Sequence, residues 1–392
     1  MSTRWQPGST LPPLYARWMN DLLDGPIPAE TTATCEQCVM CGDGPASPAS
    51  LSFFNPATKC CTYIPRLPNF LVGRVLEDDD PAAAAGRASV ERRIDERVGV
   101  TPLGLAQPPV HATLYGIGGA ATFGHAMALR CPHYREEAGG ACGIWRHRNG
   151  VCSTWFCKHD RGAVGQHFWH ALDQLLAAVE RELARWCLIR LDVEPDVLAR
   201  LLPRGSDGRG KTTTLDAAAV DGHVDDDTFG GLWGRWRGRE RELYRAAASA
   251  VAKLEWRDVL RIAGGSGEVL SRIAASAHEA RRHEEVPEHL IVGQLQILTA
   301  GRNHLSVAAY NGLDPLELPR MLVDLLPAFD GRPTDEVLRE ISATKRVNVE
   351  PALVRRLVDF GVLVPAPQVS APAGAARSAS PGAGGSARRR TR

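Results

Sequence analysis

The chain contains 392 residues, of which 44% are hydrophobic and 23% are charged, and its formal net charge is +1. This length and composition are typical of a soluble globular protein with two or three domains. The near-neutral charge argues against a whole-protein surface for nucleic acid or anionic membrane. The N-terminus lacks a basic start followed by an apolar run, and no 18-residue apolar run occurs, so we expect a cytoplasmic protein with no membrane span.

The first half of the chain is predicted to contain two helical regions joined by segments of low periodicity. Residues 31–61 are polar and turn-rich, as expected of backbone that wraps a metal. Residues 66–100 are predicted to be helical with a break at DDDPAAAAG, and the Gly- and Pro-rich residues 101–125 contain one predicted short strand, VHATLY. Apolar residues recur at helical spacing from Phe168 to Trp186, which predicts a long helix.

The second half is predicted to begin with a polar segment, residues 203–231, which we interpret as a linker or long surface loop. Residues 232–365 are predicted to be mostly helical, and residues 366–392 to be a disordered tail. These features predict a mainly α protein with an irregular, metal-stapled cysteine-rich domain over residues 31–190 and a helical C-terminal half.

The end of the helical half, about residues 315–365, has the order helix, turn, helix, strand, which resembles a winged-helix unit. A helix is predicted to end before DGRP, and Thr334 is predicted to cap the next one. Pro351 and Gly361 are predicted to begin and end the last helix, before the short strand VLV. Basic side chains such as Arg355 are candidates for phosphate contacts, although charge on a helix usually forms a solvated face.

Two glycine motifs match nucleotide-binding patterns in their letters but not in their context. Residues 205–212, GSDGRGKT, match the phosphate-loop pattern, but a phosphate loop follows a buried strand and the preceding DVLARLLPR is predicted to be helical. GIGGAA at 116–121 follows the predicted VHATLY strand, but no second strand with an acidic end comes after it. We interpret the first motif as linker and the second as a tight turn.

Nine of the ten cysteines fall into groups, and clustered cysteines in a reducing compartment favour metal binding. The candidate metal ligands are Cys35, Cys38 and Cys41 in C-x-x-C-x-x-C, the adjacent Cys60 and Cys61, and Cys131, Cys142, Cys152 and Cys157. Cys187 stands apart beside the apolar stripe of the long helix and is predicted to fill the core.

The expected cofactor is zinc or an iron–sulfur cluster, and the sequence leaves these two open. Each kind of site takes four cysteines, and C-x-x-C steps let neighbouring thiolates converge on one centre. The first group is not a bacterial ferredoxin run, because Pro45 stands where that run has its fourth cysteine. His133, His147 and His159 are candidates for a mixed Cys/His site, but for each we favour an exposed histidine or one that hydrogen-bonds a ligand.

The stretch CGIWRHRNGVCSTW resembles the C-x-[IV]-Y-x-x-R-P-x-x-C-R-x-F signature of the YkgJ-type cysteine-cluster family, described as a zinc- or iron-chelating domain. The matching positions are Cys142, Ile144, Trp145, Arg148, Cys152 and Trp155. Asn149 and Ser153 replace the usual Pro and Arg of the signature. Cys131 and the pair at 60–61 resemble the family's upstream Cys and its CC element. The resemblance covers about residues 35–160 and implies metal binding.

Three classes of function follow from these patterns. The first is a metal-binding protein with a redox role or an accessory role in protein modification. The second is a modifying enzyme of the lysine-methylase kind, since flagellin lysine N-methylases have a related cysteine pattern and a similar length. The third is a metal-responsive regulator that binds DNA. We expect a protein partner rather than nucleic acid, and catalytic residues and oligomeric state stay open.

Overall fold

The computed structural model describes residues 11–31, 35, 38–41, 54–202 and 217–367. Its α-helices are α1 (Pro13–Leu22), α2 (Asn69–Glu77), α3 (Ala84–Asp95), α4 (Pro109–Gly118), α5 (Gly150–Thr154), α6 (Gly162–Arg190), α7 (Pro195–Leu201), α8 (Ala217–Asp221), α9 (Asp226–Trp233), α10 (Glu240–Ala252), α11 (Trp256–Arg282), α12 (Arg320–Val323), α13 (Thr334–Lys345) and α14 (Pro351–Asp359). Its strands are β1 (Leu67–Pro68), β2 (Val100–Thr101), β3 (Gly104–Leu105), β4 (Tyr134–Arg135), β5 (Ala141–Cys142), β6 (His289–Val292), β7 (Gln296–Ala300), β8 (His304–Ala308), β9 (Leu316–Pro319), β10 (Asp330–Pro333) and β11 (Leu363–Pro365). The protein is therefore mainly helical, as predicted.

The larger of two hydrophobic cores extends from residue 11 to residue 277 and is built around α6. Buried residues such as Phe168, Leu172 and Leu183 recur along α6 at helical spacing and face α11 and α10. Cys187 is fully buried on this helix, so the predictions of a long helix and of a core role for Cys187 are confirmed. No helix in the described part of the chain is long and apolar enough to cross a membrane.

Helices α2 and α10 cross at very short range, and a glycine permits this. A Cβ atom added at Gly73 would lie 1.9 Å from the carbonyl oxygen of Tyr244 and 2.8 Å from the Cβ atom of Ala248. Tyr244 is fully buried, and its hydroxyl donates to the carbonyl of Thr101 at 2.7 Å. The crossing therefore joins α10 both to α2 and to the small sheet of order β1-β3-β2.

Glu180 is a buried carboxyl group in the middle of α6. It accepts hydrogen bonds from the hydroxyl of Tyr15 and, at 2.5 Å, from the backbone N–H of Gly150. Burial raises the pKa of Glu180 from its ordinary value of 4.5 to about 7, because the low-dielectric interior disfavours the carboxylate. This carboxyl group connects α1, α6 and the first residue of α5.

The second core contains residues 290–363 and forms a separate C-terminal unit. Two antiparallel sheets, of order β7-β8-β9 and β10-β6-β11, pack with α13 and α14. The expectation of a mostly helical region over residues 232–365 therefore holds for α10 and α11 but not for residues 289–333, where short strands prevail.

Three local predictions in this unit are confirmed and a fourth is wrong. Pro351 begins α14, Gly361 follows it with a φ of 75°, and β11 is the predicted strand. The prediction that Thr334 caps α13 is wrong. Pro333 is the N-cap residue, and the Thr334 hydroxyl donates instead to the carbonyl of Pro287 at 2.9 Å.

Two other sequence predictions require correction. The predicted strand VHATLY is helix α4, which begins at Pro109, a residue suited to the first helical position. Part of the expected linker 203–231 is also helical: Phe229 and Trp233 of α9 are buried in the larger core. The phosphate-loop motif and the tail beyond residue 367 lie outside the described residues, and the motif is preceded by helix α7 rather than by a strand.

Substitution of Gly73 tests the close crossing of α2 and α10. We expect Gly73→Ala to lower the free energy of unfolding by about 3 kcal/mol, because the new methyl group overlaps the backbone of Tyr244. Gly116→Ala in α4 is the matched control, since a Cβ atom there meets nothing within 4 Å, and it should stabilise the protein by up to about 1 kcal/mol. Urea denaturation measures both, and equal effects would contradict the close crossing.

The buried carboxyl group of Glu180 makes stability depend on pH. Because its folded pKa is raised to about 7, its contribution to stability is complete below pH 4.5 and is lost as the pH rises through 7. Gln at this position does not titrate and can still accept from Tyr15 and Gly150. We expect the stability of Glu180→Gln relative to the wild type to rise by about 3 kcal/mol across this window. Parallel stability curves for the two proteins would contradict this assignment.

Candidate metal centre

The nine clustered cysteines reach one region of the molecule from separate segments of the chain. Cys35, Cys38 and Cys41 precede residue 54, and Cys60 and Cys61 lie in a turn. Cys131 precedes the β4–β5 hairpin, and Cys142 lies in β5. Cys152 lies in α5, and Cys157 follows that helix. All are free thiols. The segments are joined by backbone hydrogen bonds, which fix where each thiol can lie.

The turn that carries Cys60 and Cys61 is shaped by its own backbone. The carbonyl of Asn55 accepts from the N–H groups of Thr58 and Lys59 at 3.0 and 2.8 Å. Lys59 takes a left-handed conformation with a φ of 50°. The carbonyl of Cys61 then accepts from the N–H of Cys131 at 2.7 Å, which joins the second cysteine group to the third.

The later cysteines are held by the β4–β5 hairpin and by α5. Tyr134 pairs with Cys142 across the hairpin. Asn149 caps α5, because its side-chain oxygen accepts from the N–H of Cys152 at 3.3 Å. Asparagine at the position where the family signature has proline therefore has a local structural role in this chain.

Two buried cations lie among the cysteines. Lys59 is 7% exposed, and its ammonium group donates to the carbonyl of Cys35 and, at 2.8 Å, to the carbonyl of Gly139. Arg148 is 3% exposed, lies 3.5 Å from the ring centre of Trp145, and donates to the carbonyl of Cys152 at 2.8 Å. Burial of these charges is costly in an apolar surrounding, so their positions indicate a counterpart of negative charge.

Burial and the charge of neighbouring thiols raise the pKa of most of the clustered cysteines. Burial is the largest cause that raises the pKa of Cys35, Cys41 and Cys131, in each case to about 12. Negative charge on Cys60 is a further cause at seven cysteines: Cys35, Cys41, Cys61, Cys131, Cys142, Cys152 and Cys157. Cys38 belongs to the same region, since its charge contributes at Cys41 and Cys157.

Cys60 is the thiol most ready to ionise in this region. A hydrogen bond with the thiol of Cys61 is the main cause that lowers the pKa of Cys60, and the nearby charges of Lys59 and Arg148 lower it further. The same hydrogen bond raises the pKa of Cys61. Cys152 differs from the others because the residue as a whole is exposed. The protein around its sulfur nevertheless excludes water, and this loss of hydration raises its pKa. It marks the solvent-facing edge of the cluster.

The three candidate histidines are buried and neutral. Burial lowers the pKa of His133 to about 3 and that of His159 to about 4, and it also lowers the pKa of His147. His133 makes a 2.7 Å hydrogen bond through Nδ1 with Ser89, and His147 makes one through Nε2 with Asp78. Among the described residues, one ring nitrogen of each histidine is buried without a hydrogen-bond partner: Nε2 of His133, and Nδ1 of His147 and His159.

The donor set fits a thiolate-bound metal in its chemistry. Soft thiolate ligands select zinc and iron–sulfur clusters, and a bound cation would relieve the burial and repulsion that keep these thiols protonated. Within the described ranges, no three His, Cys, Asp or Glu side chains are arranged to hold an ion as they stand. Coordination therefore requires the neighbouring thiols to turn toward a common centre.

Eight of the nine cysteines named from the sequence are thus Cys60 and the thiols on which its charge acts, and Cys38 acts on two of these, whereas burial alone raises the pKa of Cys187. Sequence reasoning did not assign a role to Lys59 or to the buried charge of Arg148. Lys59 directly precedes the Cys60–Cys61 pair, and Arg148 occupies the arginine position of the family signature, so both had a signal in the sequence.

Comparison with known proteins finds no matching family model, no matching curated protein and no matching solved structure.

Substitution of Arg148 tests whether its buried charge stabilises the cysteine region. Arg148→Met keeps an apolar chain of similar length but leaves the carbonyls of Cys152 and Trp145 without their donor. We expect a loss of about 3 kcal/mol in the free energy of unfolding. Arg146→Met is the matched control, because that side chain is 55% exposed and its surface ion pairs should contribute less than about 1 kcal/mol. A similar effect of both variants, measured by thermal denaturation, would contradict the role assigned to Arg148.

Proposed function

We propose that the nine clustered cysteines bind metal as thiolates, either as zinc or as an iron–sulfur cluster, and that the protein acts in redox chemistry or as an accessory to protein modification. The observation that carries this proposal is that seven other free thiols, from separate segments, lie close enough to Cys60 for its charge to raise their pKa. The resemblance of residues 142–155 to the YkgJ-type signature supports the same proposal.

The surrounding residues are suited to stabilising thiolates. The buried ammonium of Lys59 and the guanidinium of Arg148 supply positive charge. The backbone N–H of His133 donates to the sulfur of Cys131, and that of Ile144 donates to the sulfur of Cys142. Both hydrogen bonds lower the pKa of the thiol, whereas burial raises it. Zinc would supply structural cross-linking here, and an iron–sulfur cluster would supply one-electron transfer. These protein groups favour the ionised ligands in either case.

We also propose that the C-terminal unit is winged-helix-like. The order α13, α14, β11 supports it, although β6 lies between β10 and β11 in the sheet. A DNA-binding role has less support, because Arg355 pairs with Asp359 at 2.7 Å with only 16% of its side chain exposed. A methylase-like enzyme remains the alternative in which the metal centre would support a modification site.

Metal analysis of protein prepared without oxygen or chelator tests the proposal. We expect bound zinc, or iron with acid-labile sulfide and a brown colour. Cys60→Ser and Cys142→Ser should each lower the metal retained after dialysis against a weak chelator by roughly ten-fold or more, since a lost ligand weakens a shared site. Limited proteolysis should then cut residues 131–160, because metal-binding energy is also folding energy in such a site.

Cys187→Ser is the matched control for these variants. It places the same hydroxyl group in the helical core, so it should lower stability without any loss of metal. Wild-type protein that contains neither zinc nor iron would refute the proposal. Metal that survives both ligand substitutions would show that the thiols around Cys60 do not hold it.

A further inference from the structure

A groove in the C-terminal unit is separate from the buried thiols and has the properties of a binding site. A cavity of about 680 Å³ lies between strand β9 and helix α14, a size typical of ligand pockets. Its apolar walls include Leu316 and Leu318 of β9, Met321 of α12, and Leu353 and Leu357 of α14. Met321 and Leu353 expose 61% and 38% of their surface, so apolar side chains line an open groove.

Two cations line the same groove without a carboxylate partner. Lys158 and Arg356 form no ion pair with any described residue, whereas Arg332 and Arg355 of the same unit do, and the guanidinium of Arg356 lies 5.7 Å from the ring centre of Phe360. The acidic residues of the groove are engaged elsewhere: Asp314 accepts from the hydroxyl of Tyr310, and Glu317 lies 3.7 Å from His304. The groove therefore holds two cations that form no ion pair with a described residue, beside apolar surface and the carboxyl groups of Asp314 and Glu317. The two cations are complementary to an apolar group that carries an anion.

Strand β9 also offers free backbone groups along this groove. Within the described sheet, β9 pairs with β8 alone and is an edge strand. The N–H of Arg320 donates to the carbonyl of Asn303 at 2.9 Å, so by strand alternation Leu318 also faces β8. Glu317 then directs its N–H and C=O away from the sheet, where an added strand can pair with it.

We propose that this groove binds the C-terminal end of a partner polypeptide. The peptide lies as a short strand along β9, its last apolar side chains occupy the cavity, and its terminal carboxylate pairs with Lys158 and Arg356. The backbone groups of Glu317 favour a peptide over a simple fatty acid, which has no amides to pair with them. This inference does not rest on metal binding: Lys158 directly follows Cys157, but the apolar walls and Arg356 belong to the C-terminal unit.

A peptide selection with the full-length protein tests the groove. The probe is a random octapeptide library attached through its N-terminus, in one form with a free C-terminal carboxylate and in a second form as the C-terminal amide. We expect enrichment of peptides with aliphatic last residues from the carboxylate library. Fluorescence anisotropy of a selected peptide should give binding that is roughly ten-fold or more weaker for its amide twin.

Variants then locate the site. Arg356→Glu and Met321→Glu change exposed side chains, so both proteins should fold, and each should weaken peptide binding by roughly ten-fold or more. Arg302→Glu makes the same charge change in the exposed β7–β8 turn outside the groove and should leave binding unchanged. If Arg356→Glu retains its metal, its loss of peptide binding is independent of the metal centre.

Three results would overturn the proposal: no enrichment from the carboxylate library, equal binding of the acid and amide peptides, or binding that Arg356→Glu and Met321→Glu leave intact. Competition by octanoate as strong as that of the selected peptide would assign the groove to a small aliphatic carboxylate instead of a polypeptide end.

Discussion

The constraint on which the cysteine region depends is electrostatic: thiols gathered in a poorly hydrated space resist ionisation unless positive charge is close to them. Each ionised sulfur opposes the next, as the influence of Cys60 on seven other cysteines shows. Lys59 and Arg148 supply positive charge, and backbone carbonyls hold both in place. These cations are themselves costly to bury, so thiolates and cations stabilise one another. Under the proposed function, a bound metal ion would add its positive charge to that of Lys59 and Arg148.

Helices α3 and α6 hold the segments of the cysteine region in place through contacts with their backbone. A Cβ atom added at Gly86 of α3 would lie 2.0 Å from the carbonyl oxygen of Gly143, so α3 packs directly on the backbone next to Cys142. Glu180 of α6 accepts from Gly150, the first residue of the helix that carries Cys152. Short irregular segments with few apolar side chains therefore gain their order from contacts with a large helical core.

The sequence was informative where structure follows from local pattern. The apolar stripe of α6 predicts that helix and the burial of Cys187, and both are confirmed. The nine cysteines named as metal ligands from their spacing stay a prediction. The strand predicted at VHATLY failed because alternating apolar residues can equally form a short helix after Pro109. Strands β6 to β10 of the C-terminal unit were missed because they are four or five residues long, and β6 pairs with β10 and β11, which lie far along the chain. The burial of Phe229 and Trp233 was not predicted, because acidic residues precede them in the sequence.

The segment that follows α5 joins the cysteine region to the C-terminal unit. The carbonyl of Cys157 accepts from the side chain of Asn311 at 3.0 Å. Arg161 pairs with Asp359 at 2.7 Å, and Arg355 pairs with the same mostly buried carboxylate, so removal of Asp359 would leave two buried guanidinium groups without their anion. Lys158, between these two anchors, lines the groove beside β9. Because Cys157 and Lys158 are adjacent, a movement of Cys157 toward the proposed metal would also act on the backbone that positions one cation of the groove.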